Sequence, residues 1–227
     1  MCIYRRTNTD STTRNDVAQS YELALKLVGQ DKDSGDIWSD YIRFLDAAEV
    51  YQRSLLVYSL HTNIRQTRST WEQQQKMDSL RRVYQRAIQI PLENVQKIWE
   101  DYESFENGLN RTLAKKFMAD LSPSFIQARQ VLRELRNHLH PLWPQLSPSV
   151  NTISDIYLPP VPTFDAAERA LVGKWKAYLK WEESNPLLLE DKDKPILIAR
   201  IQMAYRKAIV RMRYYPEIWC VGFSSMV

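Results

Sequence analysis

Few residues of this chain have the types and spacing that chemistry at a site requires. His138 and His140 form a His-x-His pair that could hold a metal ion, but no cysteine or acidic pair lies nearby and Pro141 follows directly. A solvent-facing helix end is the better interpretation of both histidines, because cationic imidazole suits the negative end of a helix dipole. Glu106 and Glu182 could act as acid–base groups, but their recurring place in a helical motif favours a structural hydrogen bond or ion pair with a neighbouring helix.

The other common catalytic and cofactor-binding patterns are not found in the sequence. Cys2 and Cys220 lie at opposite ends of the 227 residues, which is neither a disulfide framework nor a metal-ligand spacing and suits a reducing compartment. Five scattered glycines cannot build a phosphate-binding loop. No Ser/His/Asp or Cys/His arrangement can be argued from the spacing. We therefore predict that the protein is not an enzyme and carries no metal and no cofactor.

The composition favours a folded, all-helical chain. Glycine accounts for only 5 of 227 residues, too few for the turns of a β-sandwich or a doubly wound α/β fold. Hydrophobic residues at 44% and charged residues at 26% are typical of a globular chain. The formal net charge of +4 permits contact with nucleic acid or acidic proteins without requiring either.

Apolar residues recur at helical spacing along most of the chain, and no segment of useful length alternates with a period of two. Asp36 is predicted to cap the helix that contains Trp38. Pro91 is predicted to end the helix of residues 80–90. The predicted helices cover residues 16–28, 37–45, 80–90, 95–109, 125–139 and 197–212.

The tryptophans belong to an internal repeat. Three of them have a tyrosine three residues later and an aromatic residue six later, and two of these also have a glutamate at seven. The three sets are Trp38–Tyr41–Phe44, Trp99–Tyr102–Phe105–Glu106 and Trp175–Tyr178–Trp181–Glu182. We call the helices that carry them A helices.

A second helix type, which we call the B helix, contains Tyr84 or Tyr205 followed three residues later by alanine, and then a proline and a tryptophan. The order A, B, A, B predicts an α-solenoid of antiparallel helix pairs, in which each repeat buries its apolar face on its neighbours. The predicted repeat-core residues are Trp38, Tyr41, Tyr84, Trp99, Tyr102, Glu106, Trp175, Tyr178, Glu182, Tyr205 and Trp219.

One stretch interrupts the helical pattern. Six of the 11 prolines lie between Pro141 and Pro162, where no helix can persist. We predict a first part of the repeat array over residues 1–140, incomplete at its N-terminus, a Pro-rich insertion or linker over 141–163, and a second part over 164–227, truncated at its C-terminus.

Charge separates the two helix types, because acids concentrate on segments with A helices and bases on B helices. In a solenoid like helices line up, so one surface should be acidic and the other basic. The basic surface could contact RNA or an acidic partner, or its charges could only solvate the fold or pair with adjacent A helices. The candidate contact residues are Arg129, Arg133, Arg136, Arg200, Lys207 and Arg211, of which the last three are expected to lie beside the apolar arc and to be exposed.

The repeat resembles the half-a-TPR (HAT) repeat found in scaffolds of RNA-processing machines. The blocks that carry a more specific resemblance, to the suppressor of forked family, are residues 80–87 (LRRVYQRA), 98–110 (IWEDYESFENGLN), 113–117 (LAKKF), 128–129 (AR) and 175–187 (WKAYLKWEESNPL). Leu45 departs from the glutamate expected after Trp38, and the pattern fails after Trp219. The chain therefore looks like an internal piece of an N-terminal HAT array.

The resemblance implies a non-catalytic, nuclear scaffold in pre-mRNA 3′-end cleavage and polyadenylation, which organises other subunits of that complex and contacts RNA as a further partner. It also implies that whole family members form homodimers through a C-terminal HAT half that is absent here. Two alternatives stay open. One is a HAT scaffold of splicing or ribosomal-RNA processing, and the other is a direct RNA-binding module that uses the basic B helices.

Overall fold

The computed structural model describes residues 11–58, 66–142 and 161–220, and this part of the chain contains helices and no strand. The helices are α1 (Ser11–Val28), α2 (Gly35–Tyr58), α3 (Gln66–Ile88), α4 (Val95–Leu109), α5 (Arg111–Leu139), α6 (Ala166–Glu183) and α7 (Lys194–Arg211). Single 3-10 turns cover Lys32–Ser34, His140–Leu142 and Asp191–Asp193, and residues 216–220 are also helical. The all-α prediction is confirmed.

The start of α2 differs from the prediction. Asp36 was expected to cap this helix, but it lies inside the first turn. The 3-10 turn of Lys32–Ser34 runs directly into α2, so the chain is already helical at Gly35. The capping role passes to Asp31, whose side chain accepts a hydrogen bond from the backbone N–H of Asp33 at 3.3 Å.

The chain forms two compact units, residues 1–129 and 130–227, with the division inside α5. The division that we predict from the sequence, at 1–140, 141–163 and 164–227, stays a prediction. Residues 143–160, which make up most of the predicted Pro-rich insertion, lie outside the described residues.

In the first unit α1 packs on α2, α2 on α3, and α3 on α4. Since short segments connect α1 to α2 and α3 to α4, the helices of each of these pairs run antiparallel. The turn after α3 is itself part of the core, because Ile90 and Leu92 are buried beside Ile88. The second unit has one core between α6, α7 and the end of α5, formed by residues that include Leu135, Leu139, Trp175, Tyr178, Leu179, Tyr205, Ala208 and Ile218.

A single asparagine fastens the start of α2 to the start of α4. The Nδ2 atom of Asn94 donates to the backbone oxygen of Gly35 and to the hydroxyl of Ser39, both at 2.9 Å. The amide lies flat against Gly35, so a Cβ at that position would be only 2.6 Å from Asn94 Cγ. An alanine at this position would therefore displace the Asn94 side chain.

We expect Gly35→Ala to lower the free energy of unfolding by about 1–3 kcal/mol, because the added methyl group displaces the Asn94 amide and breaks its two hydrogen bonds to α2. Urea denaturation of the chain measures this loss. Gly108→Ala is the matched control, since nothing lies within 4 Å of a Cβ at Gly108. In α4 this control should stabilise by up to about 1 kcal/mol.

In Gly35→Ala/Asn94→Ala the clash is removed together with the bridge, so the combined loss should be smaller than the sum of the two single losses. Equal losses for Gly35→Ala and Gly108→Ala would show that the Asn94 contact does not limit the packing of α2 on α4.

Candidate interaction surfaces

The glutamate of the second A helix, α4, holds an arginine of the B helix before it. Arg81 of α3 donates from Nε to Glu106 Oε1 at 2.6 Å and from Nη2 to Oε2 at 3.1 Å. Glu106 is only 1% exposed. The hydrogen bond with Glu106 is the main cause that raises the pKa of Arg81 above its usual value. Glu106 therefore serves the packing of α3 on α4.

The glutamate of α6 forms the corresponding pair in the second unit, with an arginine of the helix that follows. Nη2 of Arg200 lies 3.1 Å and 2.9 Å from the two carboxylate oxygens of Glu182, and the Tyr178 hydroxyl donates to Oε1 at 3.1 Å. Arg200 is 4% exposed and Glu182 is 3% exposed. Nε and Nη1 of Arg200 are buried with no hydrogen-bond partner among the described residues.

The expectation that Arg200 is exposed is therefore wrong. Arg200 does lie beside the apolar arc of α7, but its side chain is long enough to reach across to α6. The buried carboxylate of Glu182 draws it there, because a buried charge is stable only with a partner. Arg200 is unavailable to an external partner while this pair is intact.

Aromatic stacking forms a second repeating contact between B and A helices of the first unit. A tyrosine of α1 lies against a tyrosine and a phenylalanine of α2. A tyrosine of α3 lies in the same way against a tyrosine and a phenylalanine of α4. The centroid distances are 5.0 Å for Tyr21–Tyr41, 5.7 Å for Tyr21–Phe44, 5.5 Å for Tyr84–Tyr102 and 5.7 Å for Tyr84–Phe105. Each contact falls within the range of favourable aromatic pairs.

In the second unit His138 takes the place of the tyrosine. Its ring lies 4.8 Å from Trp181 and 6.3 Å from Tyr178. Trp181 also donates from Nε1 to Glu134 at 3.3 Å. The expectation of a solvent-facing His138 is therefore wrong, because α6 covers the end of α5 here, whereas His140 is exposed.

The predicted repeat-core residues differ in burial. Trp38 and Trp175 are buried, at 2% and 1% exposed, and so are the predicted core tyrosines and both glutamates. Trp99 and Trp219 are only partly buried. Trp99 stacks on Phe125 of α5, with the rings 4.3 Å apart and 7° from parallel. Trp219 donates from Nε1 to the backbone oxygen of Arg213 at 3.0 Å.

The remaining candidate contact residues lie on two helices. Arg129 of the first unit is exposed, with its guanidinium 5.5 Å from the Phe125 ring. Arg133 and Arg136 of the second unit are also exposed, whereas Lys207 and Arg211 of α7 are half-buried.

Ion pairing between helices accounts for another base of α3, because Arg86 bonds Glu22 of α1 at 2.9 Å. Of the candidate contact residues, the exposed ones are the three arginines of α5.

The structure shows one feature that the sequence analysis missed. A groove of about 570 Å³ lies in the first unit between α2 and α4, with Tyr84 of α3 among its lining residues. Asp46 of α2 and Asp101 of α4 line it. These acids occupy different positions relative to Trp38 and Trp99, so the repeat motif gives no signal that they face one groove.

In residues 11–58, 66–142 and 161–220 no group of three or more His, Cys, Asp or Glu side chains could hold a metal ion. In the same ranges no helix has both the length and the apolar character needed to span a membrane.

Comparison with known proteins points to one family. The family described as Suppressor of forked protein (Suf) matches residues 3–225. The mRNA 3′-end-processing protein RNA14 of Cryptococcus neoformans is 39% identical over 206 residues, which cover 91% of this chain and 16% of that protein. The protein rna14 of Schizosaccharomyces pombe, which has the same description, is 36% identical over 222 residues, or 97% of this chain and 26% of that protein. This chain thus spans between 16% and 26% of the length of these relatives.

Among solved structures, the crystal structure of CstF-77 is similar in fold. The TM-score is 0.59 at 17% sequence identity, and the match covers 92% of this chain and 37% of that chain. The fold class predicted from the sequence, an α-solenoid of helix pairs, is confirmed by this similarity together with the all-helical structure.

We expect Arg200→Ala to lower the free energy of unfolding by about 3–5 kcal/mol, because the Glu182 carboxylate is left buried without its cation. Arg200→Met/Glu182→Leu should be far less destabilising, since it also removes the two unpartnered guanidinium nitrogens of Arg200. Guanidinium denaturation measures both variants.

Lys192→Ala is the control for loss of a cation, since the Lys192–Glu190 pair is 71% and 73% exposed. Its unfolding midpoint should equal that of the unmodified chain, because solvent screens an exposed pair. A loss in the double variant as large as that of Arg200→Ala would mean that side-chain packing, and not the unpaired charge, causes the effect.

Proposed function

Since this chain belongs to the suppressor of forked family, we propose that it is a non-catalytic scaffold segment of a nuclear subunit that acts in mRNA 3′-end cleavage and polyadenylation. The observation that carries the proposal is the match to this family over residues 3–225. The identities of 39% and 36% to proteins described as mRNA 3′-end-processing proteins support it.

The local geometry supports a scaffold in preference to an enzyme. Glu106 and Glu182, the acids that the motif singles out, are each buried in an ion pair with an arginine of a neighbouring helix. A carboxylate held in this way braces two helices and has no access to a substrate. The chain therefore uses its recurring polar residues to fix helix pairs, which then hold surface side chains at set spacings.

The exposed arginines of α5 are the proposed contact residues for other subunits of the complex. Arg129, Arg133 and Arg136 are exposed on α5, where their positive charges can attract an acidic partner. RNA is the second candidate partner, and the same exposure favours it. A protein partner is the better proposal, because the aromatic residues of the repeats are engaged in helix packing and leave few rings for stacking with bases.

The proposed function can be tested by segment replacement in the fission-yeast relative. We expect the relative whose matching segment is exchanged for this chain to support growth and accurate mRNA 3′-end cleavage in that yeast. A matched exchange that carries Arg200→Ala, which is expected to destabilise the segment, is the negative control and should support growth less well. A well-expressed exchange protein that supports neither growth nor cleavage would contradict the proposal.

Charge reversal tests the contact residues of the second unit. Arg133→Glu/Arg136→Glu should change the free energy of unfolding by no more than about 0.5 kcal/mol, as expected for surface substitutions. It should weaken the capture of polyadenylation-complex subunits, and most strongly at low salt. Pull-down of purified subunits measures this loss, and filter binding of RNA across a salt titration is run in parallel.

Arg169→Glu/Lys174→Glu makes the same change of charge on exposed positions of α6 and is the control. A loss of RNA binding alone would favour the direct RNA-binding alternative. Unchanged binding in both assays would mean that these arginines only solvate the helix.

A further inference from the structure

The groove of the first unit has aromatic and aliphatic walls. Tyr84 is 7% exposed and stacks on Phe105 of α4, which also lines the groove. Ile42 of α2 and Ile98 of α4 add buried apolar surface. With a volume of about 570 Å³, the groove is large enough for one long side chain and its flanking backbone.

Negative charge dominates the part of the groove around Tyr84. Asp101 of α4 and Asp46 of α2 line the groove together with Tyr84, and after burial these two charges raise the pKa of Tyr84 above its usual range. Asp36 is a third acid of the lining.

The lining also contains two cations, Arg43 and Lys97. Arg43 already bonds Asp40 at 2.9 Å, outside the lining, so this partner offsets its charge. Among the described residues the lining thus holds three acids and two cations, and one of these cations is paired with an acid outside the groove.

The Tyr84 hydroxyl has no hydrogen-bond partner among the described residues, although the side chain is more than nine-tenths buried. The tyrosines of the other repeats differ in this respect. Tyr102 accepts from Gln85 at 3.2 Å, and Tyr178 and Tyr205 donate to glutamates at 3.1 Å and 2.6 Å. Solvent therefore reaches the Tyr84 hydroxyl through the groove, and a polar group that enters the groove can form a hydrogen bond with it.

We propose that this groove binds an arginine side chain presented by a segment of a partner protein, with the guanidinium between Asp46 and Asp101 and above the ring of Tyr84. A guanidinium is planar and donates in several directions, so it can stack on an aromatic ring while it bonds carboxylates. The same carboxylates repel phosphate, which disfavours RNA as the occupant. The inference rests on the proposed scaffold function, and it specifies the chemistry of one partner.

Binding of defined peptides to the 227-residue chain tests the proposal. The probes are short fluorescein-labelled peptides that are identical except at a central position, which lies between two leucines. This position holds arginine, its neutral isostere citrulline, or lysine. We expect the arginine peptide to bind about tenfold more tightly than the citrulline peptide in fluorescence anisotropy, and this preference to fall with salt. The lysine peptide should bind less tightly than arginine, because an ammonium group cannot stack or bond two carboxylates in a plane.

Two groove variants and their matched controls locate the site. Asp46→Asn/Asp101→Asn should remove the preference for arginine over citrulline, whereas Glu103→Gln/Asp120→Asn, an equal change of charge outside the groove lining, should keep it. Gly108→Trp should block all peptide binding, because Gly108 lines the groove and a side chain there meets open space. Gly173→Trp is the matched control, since a side chain at Gly173 in the second unit also meets nothing within 4 Å.

Three results would overturn the proposal. They are equal binding of the arginine and citrulline peptides, an arginine preference that survives Asp46→Asn/Asp101→Asn, and RNA binding that Gly108→Trp abolishes. Circular dichroism of each variant establishes that it is folded. Peptide binding with failed segment replacement would contradict the proposed 3′-end-processing function alone, and successful replacement without peptide binding would contradict the groove assignment alone.

Discussion

The buried carboxylate of an A helix is the constraint on which the packing of its helix pair depends. Glu106 and Glu182 are almost completely removed from water, and a charge in that position costs several kcal/mol unless a cation reaches it. Arg81 and Arg200 meet this demand from B helices, one before and one after its A helix in the sequence. Because the two charges must meet, the pair restricts how far one helix can slide or rotate on the other.

Aromatic contacts, like the ion pairs, join neighbouring helices. In the first unit a tyrosine of one helix lies against two rings of the next, and His138 fills the same place in the second unit. The contact is thus made by a tyrosine ring in the first unit and by a histidine ring in the second. The ion pair gives direction to the helix interface, whereas the rings and the buried aliphatic side chains supply its apolar area.

The ion pairs between helices determine which charged side chains remain on the surface for partners. Arg81 and Arg200 are engaged in helix pairing, so a count of basic residues on B helices overstates the basic surface. The arginines of α5 keep their exposure, and the acids beside Tyr84 line a groove of the opposite sign. The basic helix and the acidic groove are the two places at which we propose that protein segments of different charge bind.

The sequence by itself determined the helical class, the extents of α4 and α7 and the alternation of A and B types, whereas α2, α3 and α5 are much longer than the ranges predicted for them. These properties depend on a period of 100° per residue within each helix, which is local. Only the tertiary structure decided that Arg200 is buried, that His138 stacks on Trp181 and that Trp99 stays partly exposed. Likewise only the structure brought Asp46 and Asp101 to one groove. Each of these facts depends on which side chain of a second helix lies opposite. That choice follows from the packing of helices distant in sequence and from the reach of long side chains, neither of which the period of one helix contains.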